Sequence, residues 1–145
     1  MIRTEKTIVI KRPVEDVFNY MAEFENDMEW RSELAEIRRT TEFGRNAGAR
    51  YEQRLTWGGG EAMTDFEITD FRPYRHIEFR GTSGDVQAHG VYDFEAEDGT
   101  TRVKVAAEVQ VSGALKLSEP LIEQALQKQG ASDLDHLKDI LESRP

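Results

Sequence analysis

The sequence contains no cysteine, and this absence removes several classes of site at once. Disulfides, thiolate nucleophiles, zinc ribbons and iron–sulfur clusters all depend on cysteine sulfur. Basic residues are also scarce, since 19 lysines and arginines stand against 28 aspartates and glutamates, for a net charge of −9. A negative surface repels phosphate backbones and anionic lipid headgroups, so we expect no nucleic-acid partner.

Long apolar runs are missing as well. No segment approaches the roughly 20 apolar residues of a membrane span. The N-terminal segment also has too few consecutive apolar residues for a signal-peptide core. We therefore expect a cytoplasmic protein without stable membrane insertion. The sequence shows no internal repeat or linker, which predicts a single domain over residues 1–145. Its state as monomer or homodimer is left open.

Alternation of apolar and polar residues predicts a series of strands. They are expected at residues 4–11, 35–41, 49–57, 61–71, 76–80, 86–96 and 101–111. The run Gly58-Gly59-Gly60 and the pair Asp98-Gly99 are predicted hairpin turns.

Two short helices are expected after the first strand. One follows Pro13, which suits a first helical turn, and the second covers residues 25–31. We expect the acidic side chains of the second helix to face water, while Trp30 turns inward. This tryptophan is either a structural anchor or a wall of a ligand pocket.

Apolar residues at every third or fourth position predict a long helix over residues 119–142. It would be about 35 Å long, at a rise of 1.5 Å per residue, and is large enough to cover an apolar sheet face. Gly130 falls on its apolar side. The glycine allows close packing, breaks the helix in two, or leaves a hollow between helix and sheet.

No catalytic constellation is visible. By register His76 and His89 fall on the charged face of the strands, and His136 lies on the polar side of the long helix. No spacing such as H-x-x-x-H predicts a metal site, and we expect no cofactor. The best remaining proton donor to a developing enolate is the hydroxyl of Tyr51 or Tyr92. Whether the chain is an enzyme is left open.

Several short motifs occur in a recognisable order. They are R-P-V-E-D-V-F-N-Y-M, E-N-D-M-E-W, G-A-R-Y, F-E-I-T-D-F-R-P, Y-D-F-E-A-E-D-G-T-T-R-V and L-D-H-L-K-D-I-L-E. Together they resemble the START-like (SRPBCC) superfamily, in particular its polyketide cyclase/dehydrase and lipid-transport branch, over nearly the whole chain. The resemblance implies an α+β helix-grip fold, in which a curved antiparallel sheet of about seven strands wraps around a long C-terminal helix, with two short helices after the first strand.

The resemblance also implies a cavity between sheet and helix that binds an apolar or aromatic molecule, but no catalytic set that all members share. Our leading hypothesis is binding of a lipid-, polyketide- or quinone-like small molecule in that cavity. One alternative is a polyketide cyclase or dehydratase that uses the cavity tyrosines. Another is a protein-interaction module, such as a chaperone activator, that uses the acidic exterior. The residues expected to line the cavity are Trp30, Tyr51, Gln53, Trp57, Phe66, Phe79, Gly90, Tyr92, Leu126 and Gly130.

Overall fold

The seven predicted strands, the helix after Pro13 and the long C-terminal helix all form. A computed structural model describes residues 1–57 and 60–144, without the side chain of Trp57. The strands are β1 Ile2–Ile10, β2 Leu34–Arg39, β3 Arg50–Trp57, β4 Gly60–Arg72, β5 His76–Ser83, β6 Val86–Glu97 and β7 Thr100–Val111. The α-helices are α1 Val14–Ala22 and α2 Glu119–Glu142, and 3₁₀ helices cover Phe24–Glu29 and Gly113–Ser118.

The seven strands form one antiparallel sheet in the order β1-β7-β6-β5-β4-β3-β2. Because side chains alternate along a strand, one face of this sheet points toward α2 and the 3₁₀ helix Phe24–Glu29, and the other points away. We call these the inner and outer faces. Tyr92 and Phe94 are buried on the inner face, whereas His89 and Asp93 lie on the outer one. The helix-grip architecture is confirmed.

Helix α2 runs without a break through Gly130, so the predicted alternative of two separate helices is wrong. A Cβ added at Gly130 would lie 3.4 Å from Cε of Lys6, so this glycine packs against a lysine stem from β1. The C-terminal half of α2 is buried through Leu134, Leu137 and Leu141. No helix among the described residues is both long and apolar enough to cross a membrane.

The segment after α1 differs from its prediction. It is a 3₁₀ helix over Phe24–Glu29, not a helix over residues 25–31. Trp30 is only 5% exposed, which confirms its predicted burial. Asp27 is fully buried, however, so the expectation that the acidic side chains of this helix face water is wrong for that residue. Its neighbour Arg31 supplies the reason, because it brings a positive charge into the same place.

One of the two predicted tight turns can be checked. Asp98 and Gly99 join β6 to β7 with φ of 48° and 81°. Two successive positive φ angles are typical of a type I′ turn, which suits the twist of a hairpin. The other predicted turn depends on Gly58 and Gly59, which lie outside the described residues.

Candidate functional site

The apolar interior falls into two separate clusters along the inner face. The larger one holds the aromatic residues, Val103 and the C-terminal half of α2. The smaller one is formed by Ile2, Val109 and Val111, with Ile122 and Leu126 of α2 packed against it. A continuous core would join these clusters, since domains of this size usually bury one contiguous apolar region. The gap between them is therefore the first candidate for a ligand site.

Small residues occupy the sheet positions in this gap. Along β6, Ala88 and Gly90 separate Val86 from Tyr92, and along β7, Ala107 separates Val105 from Val109. Ala107 is paired directly with Gly90, so the two small positions lie side by side. Ala88 is exposed and Ala107 is half-buried although both point to the inner face. The sheet therefore presents a shallow, partly open apolar surface here, which we call the groove.

Aromatic rings close one end of the groove. Phe79 and Tyr92 meet edge to face with ring centroids 5.1 Å apart, and Phe24 of the 3₁₀ helix contacts both. Tyr51 and Phe66 stack behind them with centroids 4.9 Å apart. A Cβ at Gly90 would lie 2.4 Å from the Phe79 ring, so only glycine at this position lets the ring lie flat on the sheet.

A polar cluster adjoins the aromatic rings, and we define it as the buried Asp27 and Asp133 with the half-buried Arg31, Glu33 and Gln53. Arg31 Nη1 lies 3.3 Å from Asp27 Oδ2 and donates to Gln53 Oε1 at 3.2 Å, and Nη2 donates to Glu33 Oε1 at 3.1 Å. Asp133 of α2 accepts hydrogen bonds at Oδ1 from the backbone N–H and the hydroxyl of Ser32. The polar cluster thus ties the 3₁₀ helix, β3 and α2 together.

Part of the hydrogen-bonding capacity in this region is unused. Asp27 Oδ1, Glu33 Oε2, Trp30 Nε1 and Thr64 Oγ1 are buried and have no partner among the described residues. Buried polar atoms are nearly always paired in native proteins, with protein groups, water or a ligand. These four atoms therefore mark where a bound water or a polar group of a ligand is best accommodated.

Burial shifts the pKa values of the acidic groups here. It raises the pKa of Asp27 to about 7, against the opposing charge and hydrogen bond of Arg31. The indole N–H of Trp30 also favours the Asp27 carboxylate, although the pair does not meet the full geometry of a hydrogen bond. Burial likewise raises the pKa of Glu33 and of Tyr92, and the negative charge of Asp27 adds to the shift of Tyr92. Tyr92 therefore stays a neutral hydrogen-bond donor.

The two candidate tyrosines have different surroundings. The hydroxyl of Tyr51 would lie 3.2 Å from a Cβ at Gly44, which places it beside the loop between β2 and β3. Burial raises the pKa of Tyr51 to about 12, and the negative charge of Glu25 makes the second-largest contribution in the same direction. The charge of Asp27 is the largest charge effect on the pKa of Tyr92, with Arg31 opposing it, whereas Asp27 contributes least to the shift of Tyr51. Tyr92 is therefore more closely coupled to the polar cluster than Tyr51 is.

The structure divides the ten residues predicted to line a cavity into groups. Tyr51, Phe66, Phe79, Gly90 and Tyr92 belong to the aromatic end, and Trp30 and Gln53 lie at or near the polar cluster. Leu126 packs with the smaller apolar cluster, and Gly130 contacts Lys6. The side chain of Trp57 lies outside the described residues. Their role in ligand binding stays a prediction.

Sequence reasoning missed two kinds of residue. Asp27 and Arg31 were overlooked because a short acidic segment is normally solvated; their spacing of four residues next to Trp30 was the available signal. Lys6 was missed because lysine is seldom buried, yet it shares the inner register with Ile8 and Ile10 and reaches Gly130. A lysine can bury its stem along apolar surface while its charged tip stays in water.

A second pocket, of about 610 Å³, opens between α1 and the end of α2. Tyr20 and Arg144 meet in it, with the guanidinium carbon 4.6 Å from the ring centroid. The Tyr20 hydroxyl donates to Glu29 Oε1 at 2.6 Å. None of the predicted cavity residues that the structure describes lines this pocket, and its wall is polar, so it fits an apolar ligand poorly.

The comparisons with known proteins agree with this architecture. The family model described as polyketide cyclase/dehydrase and lipid transport matches residues 1–142. Among solved structures, the aromatase/cyclase Zhui from Streptomyces sp. R1128 superposes with a TM-score of 0.86 at 14% identity, covering 98% of this chain and 94% of its own. The protein TTHA0849 from Thermus thermophilus gives a TM-score of 0.82 at 17% identity, covering 96% of each chain.

A third solved structure has two domains. The di-domain aromatase/cyclase StfQ of the steffimycin biosynthetic pathway superposes with a TM-score of 0.80 at 13% identity, covering 99% of this chain and 51% of its own. At such low identities these likenesses establish the fold alone. No curated protein matches the sequence significantly.

Proposed function

The chain belongs to the polyketide cyclase/dehydrase and lipid-transport family, and from this premise we propose that it binds an apolar or aromatic small molecule in the groove. The observation that carries the proposal is the gap between the two apolar clusters, where Ala88 and Ala107 leave inner-face surface partly exposed. Covering apolar surface with a ligand gains about 25 cal/mol per Å², so an open apolar groove favours such a molecule.

The surroundings of the groove suggest the shape of the ligand. Edge-to-face rings at one end favour a flat, ring-containing molecule, because aromatic groups pack well against such edges. Asp27, whose charge affects the pKa of Tyr92, and Trp30 carry buried polar atoms without a partner, and these favour a ligand with at least one hydroxyl or carbonyl group. A fused polyketide-like or quinone-like ring system has both properties, whereas a plain hydrocarbon lacks the second.

The groove can be blocked without touching the polar cluster. Ala107→Phe places a ring on the inner face next to Gly90, and we expect it to weaken binding of a hydroxylated naphthoquinone at least about tenfold, since the ring takes the ligand's place. Ala106→Phe adds the same ring on the outer face of the same strand and serves as the control. Titration of both variants followed by ligand absorbance is the measurement. Equal affinity of the two variants would exclude the groove as the site.

A cyclase or dehydratase activity is a second candidate, and Asp27 is the observation that favours it. A carboxyl group whose pKa is raised to about 7 can both accept and donate protons near neutral pH. Tyr92, whose pKa is raised by burial and by the charge of Asp27, remains a neutral donor that can stabilise a developing enolate. Such a pair suits the proton transfers of an aldol closure followed by loss of water.

The enzyme candidate predicts a difference between the two tyrosines. With a poly-β-ketone mimic as substrate, Tyr92→Phe should lower the rate of ring formation by at least about 100-fold while leaving binding nearly unchanged. Tyr51→Phe is the matched control and should keep the rate, because its hydroxyl lies beside Gly44. Product formation is followed by mass spectrometry. Full activity of Tyr92→Phe would refute this assignment of the donor.

A further inference from the structure

A second group of titratable side chains lies on the outer face of the sheet, away from the groove. We call it the outer cluster, and it consists of Asp70, His76, Glu78, His89 and Asp93 on strands β4, β5 and β6. His76 is paired directly with Asp93 across β5 and β6, and Asp70 is paired with Glu78 across β4 and β5. The antiparallel register thus collects two imidazoles and three carboxylates on one patch.

His76 is at the centre of the outer cluster. Its Nδ1 lies 2.5 Å from Asp93 Oδ1, and its Nε2 lies 2.8 Å from Glu78 Oε1 and 3.7 Å from Asp70 Oδ2. One donor atom from each of Asp70, His76 and Glu78 lies within 4.8 Å of the others. The side chain of His76 is 19% exposed, so the imidazole is held in place and still reachable from solvent.

We propose that Asp70, His76 and Glu78 form a binding site for a divalent transition-metal ion such as Zn²⁺, with Asp93 orienting the imidazole of His76. Imidazole nitrogen and carboxylate oxygen together suit Zn²⁺, Co²⁺ and Ni²⁺ better than Mg²⁺ or Ca²⁺, which prefer all-oxygen sites. Three protein ligands leave a fourth position for water.

The distances fit this assignment. Ligand bonds of about 2.0–2.2 Å in a tetrahedral zinc site place neighbouring ligand atoms about 3.3–3.5 Å apart. The two separations from His76 Nε2, 2.8 and 3.7 Å, bracket that value, so small side-chain rotations complete the site. A metal-bound histidine usually donates its other ring N–H to a carboxylate, and Asp93 already holds Nδ1 in this way.

Two neighbours modify the site. His89 Nε2 lies 3.1 Å from the other carboxylate oxygen of Glu78, which fixes the orientation of that carboxylate and leaves Oε1 toward His76. Arg72 Nε lies 3.2 Å from Asp70 Oδ2 and competes with a metal for that oxygen. The Arg72 side chain is 69% exposed, and exposed ion pairs contribute little, so its displacement costs little.

A metal ion here would brace the sheet behind the aromatic end of the groove. His76 and Glu78 alternate along β5 with Ile77 and Phe79, which point to the inner face. The proposal does not depend on a groove ligand, and it can be tested without one.

The test uses tag-free protein that has been stripped with EDTA and titrated with ZnCl₂ in a calorimeter, with the histidine ring protons followed by NMR. We expect one equivalent of Zn²⁺ to bind, with the His76 resonances shifting most. Absence of saturable binding would overturn the proposal, and so would binding that leaves the His76 resonances unmoved.

Variants separate the site from incidental binding. His76→Ala and Glu78→Gln should each abolish the saturable phase, and Asp93→Asn should weaken it about 10- to 100-fold, as loss of an orienting partner does. His136→Ala removes the exposed histidine of α2 and should bind like the unaltered protein. Melting curves in EDTA verify that each variant is folded. Unchanged affinity in both His76→Ala and Glu78→Gln would refute the site.

Discussion

The polar cluster and the outer cluster contain the same kinds of groups, yet the sheet gives them opposite properties. On the inner side, burial outweighs Arg31 and raises the pKa of Asp27. On the outer side, hydrogen bonds from His76 and His89 outweigh burial and lower the pKa of Glu78. A nearby basic group therefore does not by itself determine the state of a carboxyl group; access to water decides which effect is larger.

The largest expected effect comes from removing the basic side chain of the polar cluster, and the same change in the outer cluster is its control. Arg31→Met leaves Asp27 and Glu33 without their cation in a buried place, and we expect a loss of about 3 kcal/mol in the free energy of unfolding. His89→Ala removes an imidazole from the outer cluster and, measured in EDTA, should cost less than about 1 kcal/mol. Urea denaturation of both variants is the measurement. Similar losses would show that burial does not distinguish the clusters.

A smaller effect is expected from filling space on the inner face. Gly90→Ala puts a methyl group 2.4 Å from the Phe79 ring and should destabilise the protein by about 1–3 kcal/mol through overpacking. Gly130→Ala adds a methyl group 3.4 Å from a flexible lysine stem, and the better helix propensity of alanine should stabilise α2 by about 0.5–1 kcal/mol.

Thermal and urea unfolding would measure this pair of glycine variants. The double variant Gly90→Ala, Phe79→Leu is the control, because a smaller side chain at residue 79 should recover part of the loss. If Gly90→Ala were neutral, the aromatic end of the groove would be looser than the structure shows.

The sequence predicted the elements well because their signals are periodic. Alternation predicted all seven strands, and the 3.6-residue period predicted α2 over Glu119–Glu142. The burial of Trp30 was also predictable, because removing a large apolar side chain from water is favourable even within a charged segment. These features depend on local sequence patterns, which can be recognised without knowing which residues pair across the strands.

The two polar groupings could not be predicted in the same way. Asp27 is buried because Arg31 folds back over it and reaches Gln53 of β3, a contact 22 residues away in sequence. The outer cluster draws on three strands, so no spacing within one strand reveals it. Both depend on which residues lie opposite each other across the sheet, and a bulge near Ile68 shifts that register further.

The pH dependence of stability tests the state of Asp27 most directly. An aspartate has a pKa near 3.9 in an unfolded chain, and burial raises the pKa of Asp27 to about 7 in the folded protein. Between about pH 4 and 7 the folded state therefore holds a proton that the unfolded state has released, so this group lowers stability as pH rises. The slope reaches at most about 1.4 kcal/mol per pH unit for one proton.

Asp27→Asn cannot ionise, and subtracting its stability from that of the unaltered protein isolates this contribution from every other titrating group. We expect this difference in the free energy of unfolding, unaltered protein minus Asp27→Asn, to fall steadily from pH 4.5 to pH 7. The aspartate thus becomes less favourable than the asparagine as pH rises. A difference that stays flat would mean that Arg31 keeps Asp27 ionised throughout, as the histidines do for Glu78 outside. The inner carboxyl would then be a fixed charge, and its proposed role in proton transfer would lose its basis.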